Sequence, residues 1–137
     1  MRLLAALLIL PLASCATYQP PANATSRIKF VGNHYYAYIG YGDSCKARDM
    51  VGKEFWSGAP IKDSTRVWIE QGIDTTGTAF GMKCGFRYSF VPLPNTTYVS
   101  EYSMHGSCEI ALYRLNENGE RIPESSARRE PDISCLY

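Results

Sequence analysis

The stretch that decides the fold runs from Thr78 to Phe90 and reads TAFGMKCGFRYSF. Its even positions are large and apolar, whereas its odd positions are small or polar. The even set is Phe80, Met82, Cys84, Phe86, Tyr88 and Phe90. Successive side chains of a strand point to opposite faces, and a helix cannot place this even set on one side. The stretch therefore predicts a strand with one buried face.

The same alternation continues downstream. Positions 98, 100, 102 and 104 form a second in-phase set, and Pro92 and Pro94 interrupt the pattern between the two strands. Prolines favour a turn there, so residues 78–104 are expected to form a long hairpin. A third in-phase segment follows from Cys108, and Asn118-Gly119 is a strong turn signal at its end.

Further strands are predicted upstream, at 28–31, 35–41 and 65–70, with a short helical turn in 45–49. The polar stretch 117–131 is expected to be mobile. The total is about seven short strands separated by frequent turns. This pattern predicts an all-β chain folded as an antiparallel β-sandwich, either immunoglobulin-like or transthyretin-like.

The composition limits the classes of function that this chain can have. The chain has 137 residues, enough for one domain, and 45% of them are apolar, which is enough to build a core. The formal net charge is +1. A protein that binds nucleic acid needs many cations facing phosphates, so no nucleic-acid partner is expected.

The N-terminus, MRLLAALLILPLASC, reads as an export signal. Arg2 is followed by an apolar run of ten residues, Leu3 to Leu12, which is about half of what a membrane-spanning helix needs. The run ends in Leu12-Ala13-Ser14-Cys15, which resembles the lipobox of bacterial lipoproteins. The alternative is an ordinary signal peptide cut near Ala16.

The lipoprotein resemblance implies cleavage before Cys15, acylation of that residue, and a membrane contact through the lipid. Ala16 stands where an Asp would imply retention at the inner membrane, so the resemblance implies the outer membrane of the cell envelope. We therefore expect a signal peptide at 1–14, the lipidated Cys15 with a flexible tether over 15–27, and a single β-sandwich domain at 28–137.

The remaining cysteines form an even set, Cys45, Cys84, Cys108 and Cys135. Such a set in an exported chain predicts two disulfides. Cys84 and Cys108 both lie on the apolar phase of their strands, which favours the pairs 84–108 and 45–135. The alternative is 45–84 with 108–135.

No catalytic constellation is apparent, so no catalytic residue, metal or cofactor is expected. The chain has two histidines, His34 and His105, both expected at exposed strand ends, and it has no Cys-x-x-Cys pair. The carboxylates considered for acid–base chemistry fall in predicted loops or loop edges and read as a solvated face. They are Asp43, Asp49, Glu54 and Asp63.

Aromatic residues are the better candidates for function. Tyrosines occur on both faces of the strand at 35–41, and large amphipathic rings are frequent in binding hot spots. The candidate partner-binding residues are Tyr35, Tyr36, Tyr38 and Trp56; alternatively, these rings fill the sheet faces. The expected function is that of a non-enzymatic envelope lipoprotein that binds a secretion or pilus component, a toxin or a lysozyme. The alternatives are peptidoglycan or glycan binding, and a wall-cleaving enzyme, which would need two facing carboxylates.

Overall fold

The structure, a computed structural model, describes residues 17–42, 48–79 and 81–130. Its regular elements there are ten β-strands and one 3₁₀ turn at Lys53–Phe55. The strands are β1 Ser26–Gly32, β2 Tyr36–Tyr41, β3 Arg48–Met50, β4 Ala59–Ile61, β5 Val67–Asp74, β6 Lys83–Phe90, β7 Thr97–Met104, β8 Cys108–Leu115, β9 Arg121–Pro123 and β10 Arg128–Arg129. The prediction of an all-β chain is confirmed.

The strands form two five-stranded sheets. The first sheet has the order β4-β1-β7-β8-β9, and the second has the order β10-β6-β5-β2-β3. The apolar faces of the two sheets share one buried core, as in a β-sandwich. The N-terminal edge strands β3 and β4 lie on one side of the sandwich, where Tyr18 hydrogen-bonds to both of them.

The strand number differs from the prediction of about seven. Four strands were missed, and each of them has only two or three residues: β3, β4, β9 and β10. An alternation of period two cannot show itself over so few residues. Two of them, β9 and β10, lie in the stretch 117–131 that was predicted to be mobile. Of the predicted helical turn in 45–49, residues 48 and 49 belong to a strand, whereas residues 45–47 lie outside the described residues.

The predicted hairpin over 78–104 is wrong. β6 pairs with β5 and β10, whereas β7 pairs with β1 and β8, so the two strands lie in different sheets. The segment with Pro92 and Pro94 therefore carries the chain from one sheet to the other. β6 begins at Lys83 because residues 75–78 form a turn closed by the Thr78 amide and the Thr75 carbonyl at 2.9 Å. The sandwich is also not purely antiparallel, since β1 and β7 run parallel.

The core has two clusters of buried residues. The larger cluster has thirteen members contributed by both sheets and the N-terminal segment, among them Ile39, Ile69, Phe90 and Tyr98. The smaller cluster consists of Ile73, Tyr102 and Ile110, with Phe86, Tyr88 and Cys108 packed against it. The strand phase read from the sequence therefore identifies the inward face of β6 and β7.

The Cys84–Cys108 disulfide, which strand phase favoured, is present. It joins β6 of the second sheet to β8 of the first sheet, with the two Cα atoms 6.1 Å apart. That separation is ordinary for a disulfide. The second predicted pair, Cys45–Cys135, and the acylated Cys15 lie outside the described residues.

The N-terminal part of the domain differs from the expected tether. Within 15–27, Tyr18 is buried in the larger cluster, and its amide donates to the Met50 carbonyl at 2.9 Å. A large aromatic ring in the core fixes the chain there. Residues from Thr17 onward are thus part of the sandwich.

Candidate binding surface

The outer face of the second sheet carries two of the four predicted aromatic residues. In β2, Ala37 and Ile39 point into the core, so Tyr36 and Tyr38 point outward. Their ring centroids are 5.5 Å apart, and both side chains are half-buried. We call the outward side chains around them, on β2, β3, β5 and β6, the tyrosine face.

Two glycines make room for Tyr36. Gly72 of β5 is paired with Tyr36, and Gly85 of β6 is paired with Gly72. A Cβ atom on Gly85 would overlap the Tyr36 hydroxyl, and one on Gly72 would lie 2.7 Å from it. The ring therefore lies flat across two strands instead of projecting into solvent. Burial raises the pKa of Tyr36, and the charges of Glu70 and Asp74 add to the effect, so its hydroxyl stays protonated at neutral pH.

Charged side chains continue the face from Tyr38. The Arg48 guanidinium lies 4.9 Å from the Tyr38 ring centroid and 3.5 Å from a Glu70 oxygen. The same Glu70 oxygen accepts a hydrogen bond from Arg87 at 2.7 Å. Glu70 thus contacts both guanidinium groups beside the aromatic rings, and its side chain and that of Arg87 are 17% and 12% exposed, so water is partly excluded from these contacts.

Trp68 also lies on the tyrosine face. The Arg87 guanidinium lies 4.5 Å from the Trp68 ring centroid, and the indole is buried even though β5 directs it outward. A cation and a ring at this distance attract each other electrostatically. The tyrosine face is thus an ordered arrangement of rings and charges.

The other two predicted residues lie elsewhere. Tyr35 comes just before β2 and is 65% exposed. Trp56 follows the 3₁₀ turn, and its ring packs 4.2 Å from the His34 ring while its indole NH donates to the Val51 carbonyl at 3.1 Å. The structure brings Tyr36 and Tyr38 together and places Trp56 against the larger core cluster instead.

His34 is buried, in contrast to the exposed position expected from the sequence, whereas His105 is exposed. The Nδ1 atom of His34 lies 2.9 Å from the Gln71 amide nitrogen and 3.1 Å from the Gly32 carbonyl oxygen. Gln71 also donates to the Val31 carbonyl at 3.0 Å and accepts from the Ser100 hydroxyl at 2.6 Å. This buried polar layer spans the two sheets.

Burial lowers the pKa of His34, and the Gly32 carbonyl opposes that effect without reversing it. The neutral ring is therefore the native form. Its Nε2 atom is buried, and no residue of the described ranges forms a hydrogen bond with it. Protonation of the ring would put a proton on both of its nitrogen atoms. One charged N–H donor would then be buried without an acceptor, which costs free energy.

Sequence reasoning missed Arg48, Glu70, Arg87 and Trp68. A signal for three of them was present: Trp68 and Glu70 occupy the phase of β5 opposite to the buried Ile69, and Arg87 occupies the polar phase of the stretch 78–90. Pairing these two polar phases across one sheet would have predicted the Glu70–Arg87 contact. Arg48 gave no such signal because β3 is too short.

In the described part of the chain, no three His, Cys, Asp or Glu side chains cluster as a metal site would require. Of the carboxylates considered for catalysis, Asp63 accepts the Thr25 amide at 3.4 Å, and Asp43 lies outside the described residues. Within residues 17–42, 48–79 and 81–130, no helix is long and apolar enough to cross a membrane.

Comparison with known proteins finds no matching family model, no similar curated protein and no similar solved structure.

Proposed function

We propose that this protein is a non-enzymatic lipoprotein of the bacterial cell envelope that binds another envelope protein through the tyrosine face. The observation that carries the proposal is the pair Tyr36 and Tyr38, set beside Arg48. Aromatic rings and arginine are the residue types enriched in binding hot spots. A face whose side chains are already held by glycine contacts and ion pairs loses little entropy on binding.

The anchoring part of the proposal rests on the lipobox. Residues 1–14 act as the signal peptide, and Cys15 is acylated and holds the protein at the outer membrane. The second disulfide joins Cys45 to Cys135. We also propose that the β-sandwich is either immunoglobulin-like or transthyretin-like.

The partner is a secretion or pilus component, a toxin or a lysozyme. Rings and charged groups held in fixed positions suit a partner surface whose charges are complementary to them. The alternative ligand is peptidoglycan or another glycan. The observation that favours it is the pair of Tyr36 and Tyr38 rings, with centroids 5.5 Å apart, beside charged hydrogen-bonding groups, because sugars stack on rings and bond to such groups.

The test is to express the full chain in a Gram-negative host, crosslink the intact envelope and identify the molecules that co-purify. Tyr38→Ala is the test variant. Tyr113→Ala is the matched control, since Tyr113 is a half-buried tyrosine on the outer face of the first sheet with Arg121 beside it. Both variants are first checked for an unchanged melting temperature.

A single envelope protein that is lost with Tyr38→Ala and retained with Tyr113→Ala supports the protein-binding proposal. Wall fragments with the same dependence and no protein would replace it with the glycan alternative. A partner retained equally by both variants would overturn the assignment to the tyrosine face.

A further inference from the structure

The N-terminal segment lies along one edge of the sandwich. Thr17 forms a parallel bridge with Met50 of β3, and the next amide, that of Tyr18, donates to the Met50 carbonyl at 2.9 Å. The Tyr18 hydroxyl then donates to the Pro60 carbonyl of β4. The chain therefore enters the domain at the edge where β3 and β4 lie, and it is fixed to both sheets.

The distance from this edge to the proposed lipid is short. Two peptide units separate Cys15 from Thr17, and they reach at most about 7 Å when fully extended. A flexible tether of twelve residues would allow a root-mean-square distance of about 19 Å. The first residue fixed to β3 thus lies within one short step of the residue that carries the acyl chains.

We propose that a lipid bilayer is the docking partner of the β3–β4 edge, so that the sandwich stands on the membrane in one orientation. This inference rests on the lipoprotein function proposed above. Among the residues of β3 and β4, the exposed one is Met50, which is 49% exposed and is paired with Tyr38. Methionine and tyrosine suit the membrane interface, where an apolar body meets a polar boundary.

The orientation has a consequence for the tyrosine face. β2 is the neighbour of β3, so Tyr36 and Tyr38 lie about 5 Å further from the membrane than β3 does. The opposite edge strand β10 is four strand spacings away, about 19 Å. The tyrosine face then stands upright beside the bilayer, open to a partner that is itself held at the membrane surface.

The methionines provide a test that needs no added probe on the protein. The chain has four methionines, and cleavage before Cys15 removes Met1 and leaves Met50, Met82 and Met104. All three are exposed, at 49%, 38% and 46%. Met82 precedes β6, which is about 14 Å from β3 across the sheet, and Met104 ends β7, which is about 10 Å from β4.

The mature lipidated protein is purified from a Gram-negative host and its acyl mass is confirmed by mass spectrometry. It is then placed in nanodiscs that contain a lipid with a nitroxide on its headgroup, and the methionine methyl signals are recorded by NMR. A loss that is greatest at Met50 and smaller at Met104 and Met82 supports docking. Assignments come from Met→Leu variants.

A spacer variant completes the test. Twelve Gly/Ser residues inserted between Ala16 and Thr17 keep the lipid and the Thr17–Met50 bridge but release the domain. The Met50 signal should return in this variant. Equal loss at the three methionines, or no loss at any, in a protein with the acyl mass overturns the docking alone. A mature chain without that mass overturns the lipoprotein proposal, and the docking with it.

Discussion

The two ends of the sandwich are held together by different means. At one end, thirteen buried residues from both sheets and the N-terminal segment pack into the larger cluster. At the other end three residues form the smaller cluster, and the Cys84–Cys108 disulfide joins the sheets beside it. A covalent link thus accompanies the part of the interface where little apolar surface is available. The polar layer of Gln71, Ser100 and His34 also crosses the interface.

The largest difference between the ends should appear in two phenylalanines of β6. Phe90 is fully buried in the larger cluster, whereas Phe86 is half-buried beside the smaller one, on the same face of the same strand. Phe90→Ala should lower the free energy of unfolding by about 3–5 kcal/mol because it leaves a cavity. Phe86→Ala should cost clearly less, since solvent can fill its place. Urea denaturation measures both, and equal losses would contradict the comparison.

The disulfide is the next largest effect. Its two cysteines are 24 residues apart, and closing a loop of that size in the unfolded chain stabilises the fold by about 3.5 kcal/mol on the chain-entropy account. The double variant Cys84→Ala/Cys108→Ala should therefore lose about this much, measured by the same denaturation.

A sharper version of this experiment combines the double cysteine variant with each phenylalanine variant. Phe86 lies near the bridge, so its effect should depend on the disulfide, whereas the effect of Phe90 should add independently. Additivity at both positions would show that the two ends are not separate units of stability.

The buried polar layer should give an effect of similar size. Gln71→Leu keeps the volume but leaves the Ser100 hydroxyl without its acceptor and the Val31 carbonyl without its donor. Each buried group left unsatisfied costs about 1–3 kcal/mol. The double variant Gln71→Leu/Ser100→Ala removes both partners and should recover part of the loss. A double variant as unstable as the sum of the two single variants would show that the contact between these side chains carries no energy.

Sequence alone could predict the parts of this architecture that repeat over many residues. The alternation in 78–90 identifies the inward face of β6, and its phase correctly favours the Cys84–Cys108 pair. Which strands are neighbours could not be read from it, because phase says only which face of a strand is buried. The chain changes sheets at Pro92–Pro94, and a turn signal looks the same whether it closes a hairpin or crosses between sheets.

In the candidate surface, too, strand phase could be predicted from the sequence, whereas contacts between distant residues could not. The alternation of β2 places Tyr36 and Tyr38 on one face, so this pair could be predicted. The separation of Trp56 from them could not, since it depends on a loop that folds onto the core. The burial of His34 was missed because the side chain that holds it, Gln71, is 37 residues away. Polar partners in a core leave no periodic signal in the sequence.

The last prediction concerns the protonation of His34. Because burial lowers the folded-state pKa of this group below its ordinary value of 6.5, the unfolded chain binds the proton more readily. Stability from the neutral ring is therefore fully present above about pH 6.5 and is lost as the pH falls toward the lower folded-state value. Denaturation at a series of pH values, with the disulfide oxidised, should show this decline.

The matched variants are His34→Gln and His105→Gln. A glutamine at position 34 keeps hydrogen-bonding groups near Gln71 but cannot take up the proton in this range, so the decline below about pH 6.5 should become shallower. His105 is exposed at the end of β7, and its replacement should leave the decline in place. An unchanged slope in His34→Gln would mean that His34 binds the proton equally well in the folded and the unfolded chain, which would contradict a pKa lowered by burial.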